Sequence, residues 1–293
     1  MATTDLINKT TNLDVTVRST SGSLAIIQTI AAGQADIAFG TRDNLWGTAY
    51  LGAQDFEGNP QKHLRAVLEF QVINFDLVVP RDRPIRSIED FKGRRIGWHT
   101  TSSMQTVDVW LRANGLDPDE DITKITVPGQ REAVQEIIAG RCDAVWGNIF
   151  SNNAIELAQA VGTVFPIPWK QSDYNWMNQN EPLVALGTSL RKLEPGVREH
   201  LYIPPEGVVI LGTLTNIASR EDVSADVIYT YVKAWLDNIG EIQQINPAMA
   251  EFTPDLIQTP SSIPYHEGAI KALKEAGMWT AEMEQAHQEA LAK

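Results

Sequence analysis

The chain has 293 residues, 43% of them hydrophobic, and sets 24 Lys and Arg against 37 Asp and Glu for a formal charge of −13. That length and composition suit two modest globular domains with a real core. The acidity excludes an extended nucleic-acid or anionic-membrane surface, which would need clustered Lys and Arg, although a few local N–H groups and one or two Arg still suffice for a small anion.

No run of about 18 apolar residues occurs, so no membrane-spanning segment is expected. The start, MATTDLINKT, lacks the charged-then-apolar pattern of a secretion signal. The chain is therefore expected to be cytoplasmic, or exported with its signal removed. Met1 to Thr11 reads as the tail of a helix whose Leu6 and Ile7 need a sheet to pack on, with no strand ahead of them.

Val15 to Gly40 reads as strand, polar loop, amphipathic helix and second strand, with Leu24, Ile27, Ile30 and Ala31 at helical spacing on one apolar face. The loop Ser19-Thr20-Ser21-Gly22-Ser23 puts hydroxyls and backbone N–H groups at a helix start, which serves as a cap or attracts an anion. Thr41, Arg42, Asp43 and Asn44 then form a strand end turning into the helix NLWGTAYLG. Open α/β sheets bind ligands at such carboxyl ends. Arg42 reads either as a clamp for a carboxylate or as an exposed partner of Asp43.

Leu64 to Pro80 is rich in β-formers and long enough for two strands, or for one crossing between lobes. A hinge is expected near Arg81 to Pro84. A short helix at Ile88 to Phe91, stopped by Gly93, leads to a strand at Arg95 to Trp98. His99, Thr100, Thr101, Ser102 and Ser103 form a second polar loop before the helix QTVDVWLRANG. His99 there reads as a hydrogen-bond donor to a ligand or as a structural histidine. The strand ITKITVP, the helix REAVQEIIAG and the strand CDAVWG follow, and Cys142 in that last strand reads as a buried, inert thiol.

A shift of 107 residues lays Ala32-Gly33 and Asp36 to Gly40 on Ala139-Gly140 and Asp143 to Gly147, and Gly22, Gln28 and Ile30 on Gly129, Gln135 and Ile137. The echo reads as matching halves of two similar α/β lobes with a cleft between them. Trp146, Gly147, Asn148 and Phe150, with Ser151, Asn152 and Asn153, supply the mix of aromatic and polar groups that suits a small-molecule pocket. The aromatic, proline-rich stretch from Val164 to Asn180 reads as a surface loop or a cleft wall, with Lys170 a candidate anion contact. Tyr202 to Gly212 reads as the return crossing, SADVIYTYVKAWLDNIGEIQQI as one amphipathic helix, and the remainder as helical and polar.

Signatures of chemistry are missing. There is no phosphate-binding Gly-Lys loop, nucleophile elbow, dinucleotide fingerprint or paired metal-ligand His, and Tyr265 to Ile270 carries a single histidine. No catalytic residue, metal or cofactor is expected. An enzyme on the same framework would draw on His99, Asp43 and Cys142.

Ser21-Gly22-Ser23 before a helix, AGQADIAFG, LRAVLEF, SIEDFKGRR, AGRCDA, and PYHEGAI followed by KEAG together resemble the TAXI family, the extracytoplasmic solute receptors of tripartite ATP-independent (TRAP) transporters. The likeness covers nearly the whole chain. It implies a two-lobed periplasmic-binding-protein fold of the second type, each lobe a mixed sheet flanked by helices, with two hinge-crossing segments. Lobe one would be 1–81 with 206–293 and lobe two 82–205. The implied function is capture of a small organic anion or amino acid and its delivery to a TRAP membrane permease, in the periplasm after removal of a signal peptide. By position, Ser21 to Ser23, Thr41 to Asn44 and Trp146 to Asn148 carry over as ligand contacts. Two departures stand out: the family's first strand and Thr-Gly-rich loop have no counterpart here, and Thr100 to Ser103 replace a Gly-Ser-Gly loop. An orphan or signalling receptor is the further alternative.

Overall fold

The computed structural model describes residues 2–20, 22–99, 104–245 and 247–293. The chain divides into two compact units, one running up to Val72 and resuming at Leu214–Lys293, the other Ile73–Thr213. The changes of unit fall inside two long strands, β2 and β8 below, rather than at 81/82 and 205/206.

In the first unit the elements are α1 (Ala2–Thr10), α2 (Ser23–Ala31), β1 (Ile37–Arg42), α3 (Asp43–Leu51) and the first half of β2 (Leu64–Pro80). The second unit contains β3 (Arg95–His99), α4 (Met104–Ala113), β4 (Thr123–Val127), α5 (Gln130–Ile138), β5 (Ala144–Asn148) and α6 (Asn152–Val161). It continues through β6 (Val164–Pro166), α7 (Gln171–Asn180), α8 (Pro182–Ala185) and β7 (Thr188–Leu193), and β8 (Val208–Arg220) returns to the first unit. There α9 (Ala225–Asp237), α10 (Ile239–Ile245), α11 (Pro254–Ile257), α12 (Glu267–Glu275) and α13 (Ala281–Leu291) complete the chain.

The echo in sequence is an echo in backbone. α2 ends with Ala32 N–H donating to Gln28 and Gly33 N–H to Ile30, and α5 ends with the same bonds from Ala139 to Gln135 and Gly140 to Ile137. Gly33 and Gly140 take φ of 69° and 73°, a left-handed turn that glycine enters at no steric cost. Each turn feeds a strand, β1 or β5. β1 runs antiparallel to β8, with a register shift between Phe39 and Thr41 where Gly40 adopts φ 85°. This bulge re-aims the strand end that carries Thr41 and Arg42.

Ile27, Ile30, Trp46, Phe70, Trp235 and Phe252 are buried in the first unit's core, where Trp235 meets Phe252 edge-on at 5.2 Å. α12 packs on α9 through Gly268, where a Cβ would fall 2.2 Å from the Ala225 carbonyl oxygen. In the second unit β3 lies parallel to β4 and β5, while β2 is antiparallel to β5 and β6, and β7 to β8. Trp110 stacks on Trp169 at 4.2 Å and donates its indole N–H to Asp173.

Several expectations need correction. The strand read at Val15 is not formed: residues 13–20 join no ladder among the described residues. Leu24 is 40% exposed, so the buried face of α2 rests on Ile27 and Ile30. Leu64 to Pro80 forms one 17-residue strand. The helix read from Ser224 to Ile245 breaks at Asn238, whose side-chain amide donates to the Ala234 carbonyl. The aromatic stretch 164–180 belongs to the core and to α7, since Phe165, Trp169 and Met177 are buried. The terminal segment is not merely polar: Phe252, Ile257, Ile263, Leu273 and Met283 are buried with the first unit's core.

Candidate functional site

Each unit presents a strand end that turns into a helix, and of the residues singled out from sequence Thr41 to Asn44 and Trp146 to Asn148 lie at these two turns. In the first unit α3 begins at Asp43, in the first helical turn, where the orphan N–H groups favour an anion. The Asp43 carboxylate is buried yet well supplied. It accepts from Ser261 Oγ (2.8 Å), the Ser262 N–H (3.0 Å) and Asn216 Nδ2 (2.8 Å), while Ser262 Oγ donates to the Asp43 carbonyl (2.8 Å). Burial pushes its pKa up and these donors pull against that rise.

Asn216 Nδ2 also reaches Glu69 Oε1 at 3.2 Å. Glu69 is fully buried on β2, and its second oxygen finds no hydrogen-bond partner among the described residues. Burial first, then the charge of Asp43, hold its carboxyl well above the usual range. The two environments separate the pair: burial raises both carboxyls, less for Asp43 with its several donors and further for Glu69, which has few donors and faces Asp43. The Tyr265 hydroxyl completes the network by accepting the Ser261 N–H and donating to the Thr259 carbonyl.

Thr41 and Asn44 sit in the same turn, buried, with Thr41 Oγ1 and Asn44 Oδ1 lacking hydrogen-bond partners among the described residues. Arg42 is buried rather than exposed, and burial lowers its pKa to about 10, so it stays protonated at neutral pH. Gly22, the N-cap of α2, adopts φ 105°, and Ser23 opens that helix. Ser21, Thr100, Thr101, Ser102 and Ser103 lie outside the described residues.

In the second unit His99 closes β3 and is buried, its Nε2 3.0 Å from the Trp146 carbonyl oxygen. At the end of β5, Asn148 Oδ1 accepts the Phe150 N–H, and Ser151 Oγ caps α6 by accepting from Ala154. Gln130, the first residue of α5, folds its amide over Gly147 and reaches Ser151 Oγ at 3.4 Å. Trp146 is core, stacked 5.8 Å from Phe75. Phe150 is only partly buried and lies under the Arg198 guanidinium. Lys170 is paired with Glu89 and also reaches Asn114. Cys142 is buried, and burial pushes its thiol up to about 11, which removes the thiolate a nucleophile needs. Among the described residues no group of three His, Cys, Asp or Glu could hold a metal, and no helix is long and apolar enough to cross a membrane.

Sequence reasoning overlooked Glu69, Asn216, Ser261, Ser262 and Gln130, and also Asn74, whose Oδ1 accepts from Arg191 at 2.8 Å. The signal was available for the strand residues. A Glu inside AVLEF or an Asn inside TLTNIAS is a polar group in an apolar strand, and such groups are hydrogen-bonded into something. His266, counted as an unpaired metal-type histidine, is a cap: its Nδ1 accepts the Gly268 N–H at the start of α12 and its Nε2 lies 3.0 Å from the Val223 carbonyl oxygen.

Among solved structures, a periplasmic transporter superposes over 99% of this chain and 88% of its own with a TM-score of 0.53 at 13% identity. An amino-acid ABC transporter extracellular-binding protein from Bacillus subtilis shares 14% identity over 81% of this chain and 79% of its own, TM-score 0.49. A protein described as a periplasmic sulfonate-binding component of an ABC transporter, from Methylobacillus flagellatus, shares 14% over 90% and 75%, TM-score 0.46. At such identities the likeness speaks for fold alone, and the first of the three supports it: a mixed α/β periplasmic-binding-protein fold of the second type. The profile of the NMT1-like family matches residues 2–277, and with that span, nearly the whole chain belongs to the NMT1-like family.

Proposed function

We propose that the chain is a non-enzymatic solute receptor that captures a small organic anion or amino acid in the periplasm and passes it to a membrane permease. The observation that carries this reading is the duplicated unit α2–Gly33–β1 and α5–Gly140–β5, each copy of which ends in a polar turn at a new helix start, Asp43 or Asn152. A helix start offers N–H groups to a negative or polar head group. In the first turn Arg42 adds a buried positive charge, and Thr41 and Asn44 add polar atoms without partners among the described residues. The NMT1-like membership and the binding-protein fold are consistent with it. The two units would act as two lobes whose populations shift on solute binding by the differential affinity of the solute.

For the permease, the motifs shared with TAXI receptors favour a TRAP-type partner, whereas the neighbours named for ABC systems point to the other class of importer. Titration calorimetry of the purified chain against amino acids, dicarboxylates, keto acids and sulfonates tests the receptor reading. One class is expected to bind, with affinity lost in Arg42→Gln; silence across the whole panel overturns it. Uptake by vesicles holding a TRAP or an ABC permease, with the loaded receptor added outside, separates the two partners.

A further inference from the structure

The second unit carries an open groove of about 540 Å³ beside α6. Ile155 and Ala158 of the helix, with Gly162 and Thr163 just beyond it, form one wall, and Glu199 and His200 form the other. The second wall is held in place. His200 Nε2 lies 2.8 Å from the Ile149 carbonyl oxygen, and the His200 carbonyl accepts the Val164 N–H at 3.1 Å.

Two guanidiniums flank this groove. Arg81 donates its backbone N–H to the carbonyl of Thr163, one residue past the α6 cap Gly162 (3.0 Å), and its own carbonyl accepts from Arg86 Nη2 (2.8 Å). So anchored, it sets its guanidinium 3.8 Å from the centre of the Tyr202 ring. Arg198 lies 4.9 Å over the ring of Phe150, one residue ahead of the α6 cap Ser151. A positive charge therefore stands towards each end of a 10-residue helix, which is about 15 Å long. Among the described residues neither Arg81 nor Arg198 joins an ion pair, although acids outnumber bases by 37 to 24 and Arg65, Arg83, Arg95, Arg141 and Arg220 all have carboxylate partners. A guanidinium stacked on an aromatic ring keeps its in-plane N–H donors open to a carboxylate and has little freedom left to lose on taking one.

We propose that this groove docks an acidic segment of the membrane permease, laid along α6 with a carboxylate at each end and an apolar side chain between them, a proposal that rests on the receptor reading above. Charge and shape select this occupant. Glu199 repels an acid at the middle of the groove, where Ile155 and Ala158 offer apolar contact, and the exposed Val197 extends that contact beside Arg198. A free small anion would engage one guanidinium and leave the groove empty. An anionic membrane would meet a chain of formal charge −13.

The test compares the intact chain with Arg81→Glu and with the pair Arg81→Glu, Arg198→Glu, using the panel compound that binds in the calorimetry above and vesicles holding a TRAP or an ABC permease. Each variant is expected to keep its affinity for that compound within about 3-fold, whereas uptake at saturating compound should fall at least about 10-fold in the pair and less in Arg81→Glu. Raising the salt from about 50 to about 500 mM should slow wild-type uptake and leave the pair nearly unchanged. Ala158→benzoylphenylalanine should cross-link on illumination to a permease peptide rich in Asp and Glu. Undiminished uptake by the pair overturns the docking proposal and leaves the receptor reading standing, as does a cross-link confined to lipid or to a second copy of the chain. Equal loss of compound binding and of uptake also overturns it, because the arginines then serve the solute site. If wild type takes up its bound compound through neither permease, the docking proposal falls alone; if wild type binds nothing in the panel, the receptor reading falls and takes the docking proposal with it.

Discussion

Gln130 lies so close over Gly147 that a Cβ at position 147 would fall 2.1 Å from its Nε2. Gly147→Ala must therefore push the amide aside and off Ser151. Because a side-chain end can move, the cost is expected near the lower part of the ~1–3 kcal/mol typical of overpacking. Urea unfolding of Gly147→Ala, Gln130→Ala and the pair checks this: the double variant should recover part of the loss. Strict additivity would show that the two residues do not compete for space.

Glu69 holds its proton in the folded protein at pH values where an unfolded glutamic acid, at about 4.3, has lost it. Its contribution is thus complete below that value and is lost as pH rises towards the folded pKa. Glu69→Gln removes this loss, and the variant is expected to gain on the wild type by on the order of 1–2 kcal/mol between pH 4 and pH 8. Asp43→Asn strips the acceptor from its donors and should cost about 2–4 kcal/mol at neutral pH. Melts across that pH range decide, since a constant difference between Glu69→Gln and wild type would place the proton elsewhere.

Asp143 behaves in the opposite sense. Burial pushes its carboxyl up, but hydrogen bonds and charge from Arg95, with Arg83, outweigh it and leave the pKa lowered. The stability this brings is present above the unfolded aspartate value near 3.9 and is lost as pH falls through the folded one. Arg95 is partly exposed, so screening limits the effect of Asp143→Asn to about 1 kcal/mol at pH 7. The difference from wild type should shrink on acidification towards pH 3, as thermal melts at both pH values would reveal.

At the start of α12, burial lowers the pKa of His266 and keeps its ring neutral, one nitrogen accepting from Gly268 and the other facing the Val223 carbonyl. Stability is expected to fall as pH drops below about 6.5, where the unfolded ring takes up a proton. His266→Ala should cost about 1–2 kcal/mol as a lost cap and flatten that acid-side slope. Gly268→Ala meets backbone, the Ala225 carbonyl, and should cost up to about 3 kcal/mol at any pH. Denaturant curves at pH 5.5 and 7.5 separate the two effects.

The repeat was legible because its punctuation is local: the left-handed glycines at 33 and 140 and the apolar spacing before them report on neighbours a few residues away. The same holds for Asp43, which marks a helix start. What escaped was the partners, since Ser261 lies 218 residues from Asp43 along the chain and no spacing rule reaches that far. Lys170 and Trp146 read as ligand contacts because residue type alone does not reveal that one is paired with Glu89 and the other is stacked on Phe75. The stretch 13–20 has the alternation of a strand, yet among the described residues it joins no ladder.

That the first unit is built from both ends of the chain bears on how the protein is made. Residues 73–213 are contiguous and can condense while translation continues. The opening 72 residues cannot bury Asp43 or close around Trp46 until the last stretch, with Ser261 and Phe252, has left the ribosome. During that interval the nascent amino-terminal region is the one in need of chaperone protection.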